Sequence, residues 1–308
     1  MKRRYIHDLY PALCLLAVFQ SCESDASFTG GESVPKMVVN SIINTEAEKQ
    51  VLKLSESVFA FGSQTQKPVE NAELQLTVNG NEVELTFEEA KGLDRYYGFP
   101  ANLSPGDKVE IRGKSPRHDD VYGMDSVPEP ADITGIKTEW FTGKTDNRSY
   151  LRILITLKDT PREKNYYRVI VRVKNIYEFN GDYDPDWLRY DVHVDQEPLF
   201  NYMPNTPWDE TPNTYRVFSD EMIDGKEYTL NIYVQMDKEN LWGANPRTFI
   251  KAEIHTLSEN LYRYLRSVEL AGNGDNFTEP VKIFSNISGG YGVLGIYNIN
   301  DKIVEIER

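Results

Sequence analysis

The chain has 308 residues, 40% hydrophobic and 12% aromatic, which is more than one ordinary domain of roughly 100–200 residues needs and supplies core material for two. Its 48 Asp and Glu against 34 Lys and Arg give a formal net charge of −14, so its surface repels nucleic acid and anionic lipid, which excludes nucleic acid as a partner.

The opening "MKRRYIHDLYPALCLLAVFQSC" sets Lys2, Arg3 and Arg4 before an uncharged apolar run over 12–19. This is the layout of a secretory signal. The run is about half of the roughly 20 residues a membrane-spanning helix needs, so it directs export and does not span. Phe19-Gln20-Ser21-Cys22 resembles a bacterial lipobox, with Gln20 standing where a small residue is usual. The resemblance implies that residues 1–21 are removed, that the Cys22 thiol carries a diacylglycerol, and that Cys22 becomes the N-terminus. Cys14 leaves with the signal, and the one remaining cysteine forms no intramolecular disulfide. The cut also removes Lys2, Arg3, Arg4 and Asp8, which takes the net charge from −14 to −16. Two or three acyl chains, each buried methylene contributing about 0.8 kcal/mol, make such anchoring effectively permanent. Glu23 and Asp25 resemble the acidic cluster that carries some outer-membrane lipoproteins to the cell surface. Residues 22–36 are small, polar and aperiodic, and read as a tether.

Structure is expected from Met37. "MVVNSII" and "QVLKLSES" are β-branched runs of strand length. In "AELQLTVNGNEVELTF", Leu74, Leu76 and Val78 alternate with polar residues, as do Val83, Leu85 and Phe87 after Asn79-Gly80. Asn-Gly tolerates positive φ at both positions, which predicts a type I′ hairpin. Val109 and Ile111 alternate in "KVEIRGK". The order of turns and strands over 37–130 is similar to the small β-sandwich of transthyretin or carboxypeptidase-regulatory type. "DSVPEPADITG" predicts a linker near residue 130.

Longer strands follow. Leu151, Ile153, Ile155 and Leu157 share one face, then Tyr167, Val169, Val171 and Val173, then Tyr228, Leu230, Ile232, Val234 and Met236. Arg152, Arg168, Arg172, Asn231 and Gln235 lie between them, the pattern of antiparallel sheet packed on one side. The period changes in "LSENLYRYLRSVELAGNG", where Leu257, Leu261, Tyr264, Leu265 and Val268 keep helical spacing behind Ser258 as N-cap, with Leu257 placed to staple against Tyr262. Together these patterns predict a mainly β protein of two β-sandwich-like domains, 37–130 and 131–308, the second with one short helix at about 258–271.

The segments "PKMVVNSIINTE", "VFSDEMIDGKEYTLNI" and above all the closing "LSENLYRYLRSVELAGNGDNFTEPVKIFSNISGGYGVLGIYN" are similar to the Bacteroidota lipoprotein family called domain of unknown function 4249. The resemblance implies an outer-membrane lipoprotein, often encoded beside a TonB-dependent transporter. It implies no ligand, cofactor or catalytic residue.

Read for chemistry, the chain offers few motifs. Gly290-Tyr291-Gly292-Val293-Leu294-Gly295 spells G-x-G-x-x-G, but a dinucleotide site needs a helix after the loop, and the 13 residues beyond Gly295 read as strands. Close backbone packing explains these glycines better. Asp182, Asp184 and Asp186 imitate the start of a calcium loop, yet Trp187 and His193 occupy the positions where an EF-hand needs Gly and Glu. Asp191, His193 and Asp195 alternate on one strand face and form a weak metal candidate against the plainer reading of a solvated face. No G-x-S-x-G or H-E-x-x-H occurs. A non-enzymatic reading is favoured, without cofactor.

Over residues 177–217, aromatic side chains are mixed with Asp, Asn and Pro in an aperiodic stretch too long for an ordinary loop. Tyr183, Trp187, Tyr190, Tyr202 and Trp208 are the expected ligand-contacting residues, since rigid aromatics supply large contact area at low entropic cost and suit a glycan or peptide. The expectation is therefore a cell-surface lipoprotein that captures a ligand for a TonB-dependent transporter or serves as its accessory. The alternative is a structural or adhesive protein that binds another envelope component.

Overall fold

The computed structural model describes residues 34–58, 66–177, 186–201, 213–237, 247–272 and 282–306. Cys22, Tyr183, Tyr202 and Trp208 lie outside them. The first half forms β1 (Met37–Asn44), β2 (Lys49–Glu56), β3 (Glu73–Val78), β4 (Asn81–Val83), β5 (Thr86–Lys91), β6 (Asp94–Pro100), β7 (Lys108–Ser115) and β8 (His118–Ser126). The second half adds β9 (Asp132–Thr142), β10 (Ser149–Lys158), β11 (Tyr166–Ile176), β12 (Leu188–Tyr190), β13 (Val192–His193), α1 (Pro198–Asn201), β14 (Val217–Ser219), β15 (Glu227–Gln235), β16 (Arg247–Leu257), α2 (Glu259–Gly272), β17 (Ile287–Ser288) and β18 (Tyr291–Glu305).

Alternation in the sequence becomes alternation in burial. Strand β10 points Leu151, Ile153, Ile155 and Leu157 inward, all fully buried, and leaves Arg152, Leu154 and Thr156 partly exposed. Asn79 (φ 50°) and Gly80 (φ 81°) turn β3 into β4 with the two positive φ angles of a type I′ hairpin. Ser258 caps α2 by accepting the Leu261 N–H at 3.2 Å, and Leu257 and Tyr262 meet in one apolar cluster with Leu261 and Leu265. The one-turn α1, which the sequence reading did not predict, lies in the aperiodic 177–217 stretch together with β12, β13 and the first residue of β14.

Among the described residues, three sheets enclose two cores. A nine-stranded sheet runs β12-β11-β16-β18-β1-β2-β6-β5, with β14 also paired to β11. A five-stranded sheet, β17-β8-β7-β3-β4, packs on one part of it, and a four-stranded sheet, β13-β15-β10-β9, packs on the other. The first core holds Met37, Val39, Leu52, Leu54, Leu76, Val109 and Ile111, and the second holds Leu151, Ile153, Val169, Val171, Leu230, Ile232 and Ile254.

The cores separate between Val127 and Ala131, but the chain does not. Ile287, Leu294 and Ile296 return to fill the first core. Strand β18 joins the two, with residues 291–297 parallel to β1 and residues 297–305 antiparallel to β16. Residues Pro35–Val58 and Thr65–Arg308 accordingly form a single compact unit. Helix α2 lies against β18, β11 and β16, anchored by Val217, Leu257, Leu261 and Leu265.

Candidate functional site

The face of α2 that carries Arg263, Arg266, Ser267 and Leu270 has the i, i+3, i+4, i+7 spacing of one helical stripe. Opposite it run Lys282, Ile283, Phe284 and Ser285, followed by Gly290 and Tyr291, and between them opens a groove of about 630 Å³. Hydrogen bonds from both sides fix its walls. The Ser267 hydroxyl donates to the Tyr264 carbonyl and accepts the Phe284 N–H, each at 2.8 Å. Asn286 accepts the Leu294 N–H at 3.0 Å and donates to the Leu294 carbonyl at 2.8 Å, holding the 282–288 segment on β18. Strand β17 adds pairing to β8.

The turn 289–291 can be made only with glycine. A Cβ on Gly289, at φ 74°, would lie 2.0 Å from the Asp120 carbonyl oxygen, and one on Gly290 would lie 2.4 Å from that of Met37. Backbone so close leaves no room for a side chain. Tyr291, the next residue, is exposed, with the Lys36 ammonium 5.8 Å from its ring centroid. Further along, a Cβ on Gly295 would sit 3.0 Å from the Leu261 side chain, so that glycine lets α2 approach β18. The G-x-G-x-x-G string thus has a packing role in the fold.

Electrostatically the groove is cationic. Arg266 is buried and paired at 3.2 Å with Glu269, also buried, whose other oxygen accepts the Thr214 N–H. Arg263 lies 4.2 Å from the Phe284 centroid and 3.9 Å from Glu259 across one exposed helical turn. At its N-terminal end α2 is pinned to β8. Asp125 accepts the Ser258 hydroxyl at 2.5 Å and the Asn260 amide at 3.0 Å. Burial outweighs these hydrogen bonds and raises its carboxyl to about 6.

Of the residues singled out in sequence, Trp187 has the Lys174 and Lys251 ammonium groups 5.1 and 5.7 Å from its ring. These lysines share the outer face of the nine-stranded sheet with Arg168, Arg172 and Arg189, since Arg172 is in register with both Lys251 and Arg189. Buried Glu253 sits at the centre of this face. It accepts Arg172 Nε at 2.6 Å and His255 Nε2 at 3.1 Å, and lies 3.7 Å from Lys251. Burial opposes its ionisation, but the hydrogen bonds from His255 and Arg172 and the Arg172 charge outweigh it and hold the carboxyl at about 2. Burial lowers His255, whose ring stacks on Tyr297 at 4.9 Å. Tyr190 faces inward and packs against the second core.

Burial alternates through Asp191, His193 and Asp195, with Val192 and Val194 buried between them, but only Val192–His193 is strand and the three polar side chains do not converge. Asp191 pairs with Arg216 at 3.3 Å, Asp195 accepts the Tyr233 hydroxyl at 2.5 Å, and His193 stacks on the Tyr233 ring at 4.9 Å. Among the described residues no three His, Cys, Asp or Glu side chains are grouped to hold a metal.

The groove residues Arg263, Arg266, Lys282, Phe284 and Tyr291 escaped the sequence reading. Their signal is the polar stripe on α2 and the "KIFSNISGGYG" wording, neither of which spells a known site motif. The family profile described as Domain of unknown function (DUF4249) matches residues 23–303, which takes in both walls of the groove. No curated protein matches the chain. The chain belongs to the DUF4249 family.

Proposed function

We propose that this member of the DUF4249 family is a lipid-anchored protein of the outer-membrane surface. It captures a ligand in the groove beside α2, as an accessory to a TonB-dependent transporter, and does not transform that ligand. One observation carries the reading: the residues that spell the family resemblance, 257–298, build a groove whose described lining offers cations, hydroxyls and apolar faces but no carboxylate, imidazole or thiol. Such a lining supports holding a ligand more than moving its protons.

The address follows from Cys22 as the acylated N-terminus. Lys36 stands over Tyr291 at the groove, so a tether of residues 22–36 joins the fold beside it. Cys22→Ala is expected to move the chain from the membrane to the soluble fraction, and continued sedimentation with membranes would overturn the anchor. The tagged full chain, solubilised in detergent from outer membranes, is expected to bring a TonB-dependent barrel with it. Repeated purification without a barrel would remove the transporter from the proposal and favour another envelope component as partner.

A further inference from the structure

We infer that the groove between α2 and residues 282–291 takes a small organic anion with an apolar or aromatic body, an assignment that rests on the capture reading above. The charge of the lining runs against the composition of the chain. Carboxylates outnumber Lys and Arg by 48 to 34 overall, whereas the described lining holds Arg263, Arg266 and Lys282 and no Asp or Glu. A cationic ligand meets like charge there, and a neutral sugar finds no carboxylate to accept its hydroxyls.

The three cations differ in what they have left to give. Arg266 is held by Glu269 and acts as a fixed wall. Arg263 is exposed, and its pair with Glu259 at 3.9 Å is the kind of solvent-exposed contact that a better-placed anion displaces at little cost. Lys282 is exposed and has no ion-pair partner among the described residues.

Apolar surface lies alongside. Ile283 is 47% and Tyr291 43% exposed, and Leu270 and Phe284 share the lining. A fully hydrated ion has no use for such faces, whereas an amphiphile covers them and gains about 25 cal/mol for each Å² removed from water. The stacking of Arg263 on Phe284 at 4.2 Å offers charge and ring side by side. A volume of about 630 Å³ falls within the range of sites that enclose one small molecule, roughly 300–1,000 Å³.

Two probes with the same rings separate charge from apolar contact: 8-anilinonaphthalene-1-sulfonate, and N-phenyl-1-naphthylamine, which lacks the sulfonate. They are titrated by fluorescence into the mature chain carrying Cys22→Ala, which requires no detergent. The sulfonate is expected to bind at one site per chain about tenfold tighter than the neutral probe, equivalent to about 1.4 kcal/mol. Arg263→Ala with Lys282→Ala is expected to bring the two affinities within about twofold, and added salt to narrow the gap in the native sequence. Tyr291→Ala is expected to weaken both probes. Equal affinities in the native chain, or a preference that survives the double variant, overturn the anion assignment while the groove remains a binding site. If neither probe binds, or Tyr291→Ala leaves both affinities unchanged, the capture reading falls as well. Should the double variant unfold early, Lys282→Glu serves instead: loss of the sulfonate preference supports the assignment and its retention overturns it.

Discussion

Glu253 is a buried carboxylate on a sheet face rich in cations, with Asp301 opposite it in register on β18, and replacing it with Gln isolates what its charge contributes. Its side chain is 5% exposed and lies within 4 Å of Arg172, Lys251 and His255, with Arg168 also acting on His255. Because the carboxyl is held at about 2 in the fold against 4.5 outside it, ionised Glu253 stabilises the native state. The difference corresponds to about 3 kcal/mol at neutral pH, close to the roughly 3–5 kcal/mol lost when a buried ion pair is broken from one side. A depressed carboxylate contributes fully above its unfolded value and loses that contribution as pH falls toward its folded one. Glu253→Gln is therefore expected to cost about 3 kcal/mol at pH 7 and only about 1.4 kcal/mol at pH 3, where the unfolded chain has taken up the proton that the folded chain still excludes. Urea unfolding of both chains at the two pH values, at constant ionic strength, gives this difference with the carboxylates remote from position 253 cancelled. A cost below about 1 kcal/mol at pH 7, or one that does not change with pH, would refute the account of Glu253 as a charge held in place by Arg172 and His255.

Asp125 has the opposite sign: its folded value of about 6 lies above 3.8, so the native chain gains stability as pH falls between them. Asp125→Asn should remove about 3 kcal/mol of that pH dependence in the same urea series, and an unaltered slope would show that burial does not control this carboxyl. Gly290→Ala sets a Cβ 2.4 Å from the Met37 carbonyl oxygen and 2.7 Å from Val121 Cγ1. It is expected to destabilise by about 1–3 kcal/mol, and a denaturation midpoint equal to that of the native chain would contradict the tight turn. Residues 37–130 expressed alone lack Ile287, Leu294 and Ile296, each at most 4% exposed in the first core. At about 1.5–3 kcal/mol per side chain that loss rivals the whole stability of a domain. The fragment should show no cooperative thermal transition, and a sharp one would mean the first core closes without β18.

Much of the fold could be read where one face of a strand is wet. Leu151 to Leu157 and Tyr167 to Val173 alternate with polar residues, and both segments are strands with those residues inside. Strand β16 alternates in the same way, Ile250, Ala252 and Ile254 against Lys251, Glu253 and His255, but its polar face is largely covered rather than wet. Glu253 and His255 point away from the second core but are buried by their ion pair, by Tyr297 and by the helix side of the sheet, so Ala252 to Leu257 are buried without a break. The parallel pairing of β1 with β18 was equally hidden, since register between Val38 and Tyr291 depends on contacts separated by most of the chain. Local periodicity placed a division near residue 130, and the cores do change there, between Val127 and Ala131. It carried no trace of the last strand returning to the first core.

The site was less legible than the fold for a related reason. Aromatic residues draw attention in a sequence, but a large ring is as useful to a core as to a ligand. Tyr190 and Phe200 pack inward, and Trp187 lies over two lysines. What separates a binding ring from a core ring is what the neighbouring backbone forces it to do. Tyr291 follows two glycines, neither of which can carry a side chain against β1 and β8, and it stays exposed at the edge of a groove with cations on both walls. Gly290 is also the first glycine of the string that looks in sequence like a nucleotide loop. The role of Gly289 and Gly290 comes from β8 and from β1, the strand that follows the tether, and neither is adjacent in the chain. The helical stripe of Arg263, Arg266, Ser267 and Leu270 was visible all along, but a polar stripe on a helix is ordinarily a solvated face. It acquires meaning only when the Ser267 hydroxyl accepts the Phe284 N–H, because that bond brings a second wall within reach of the first.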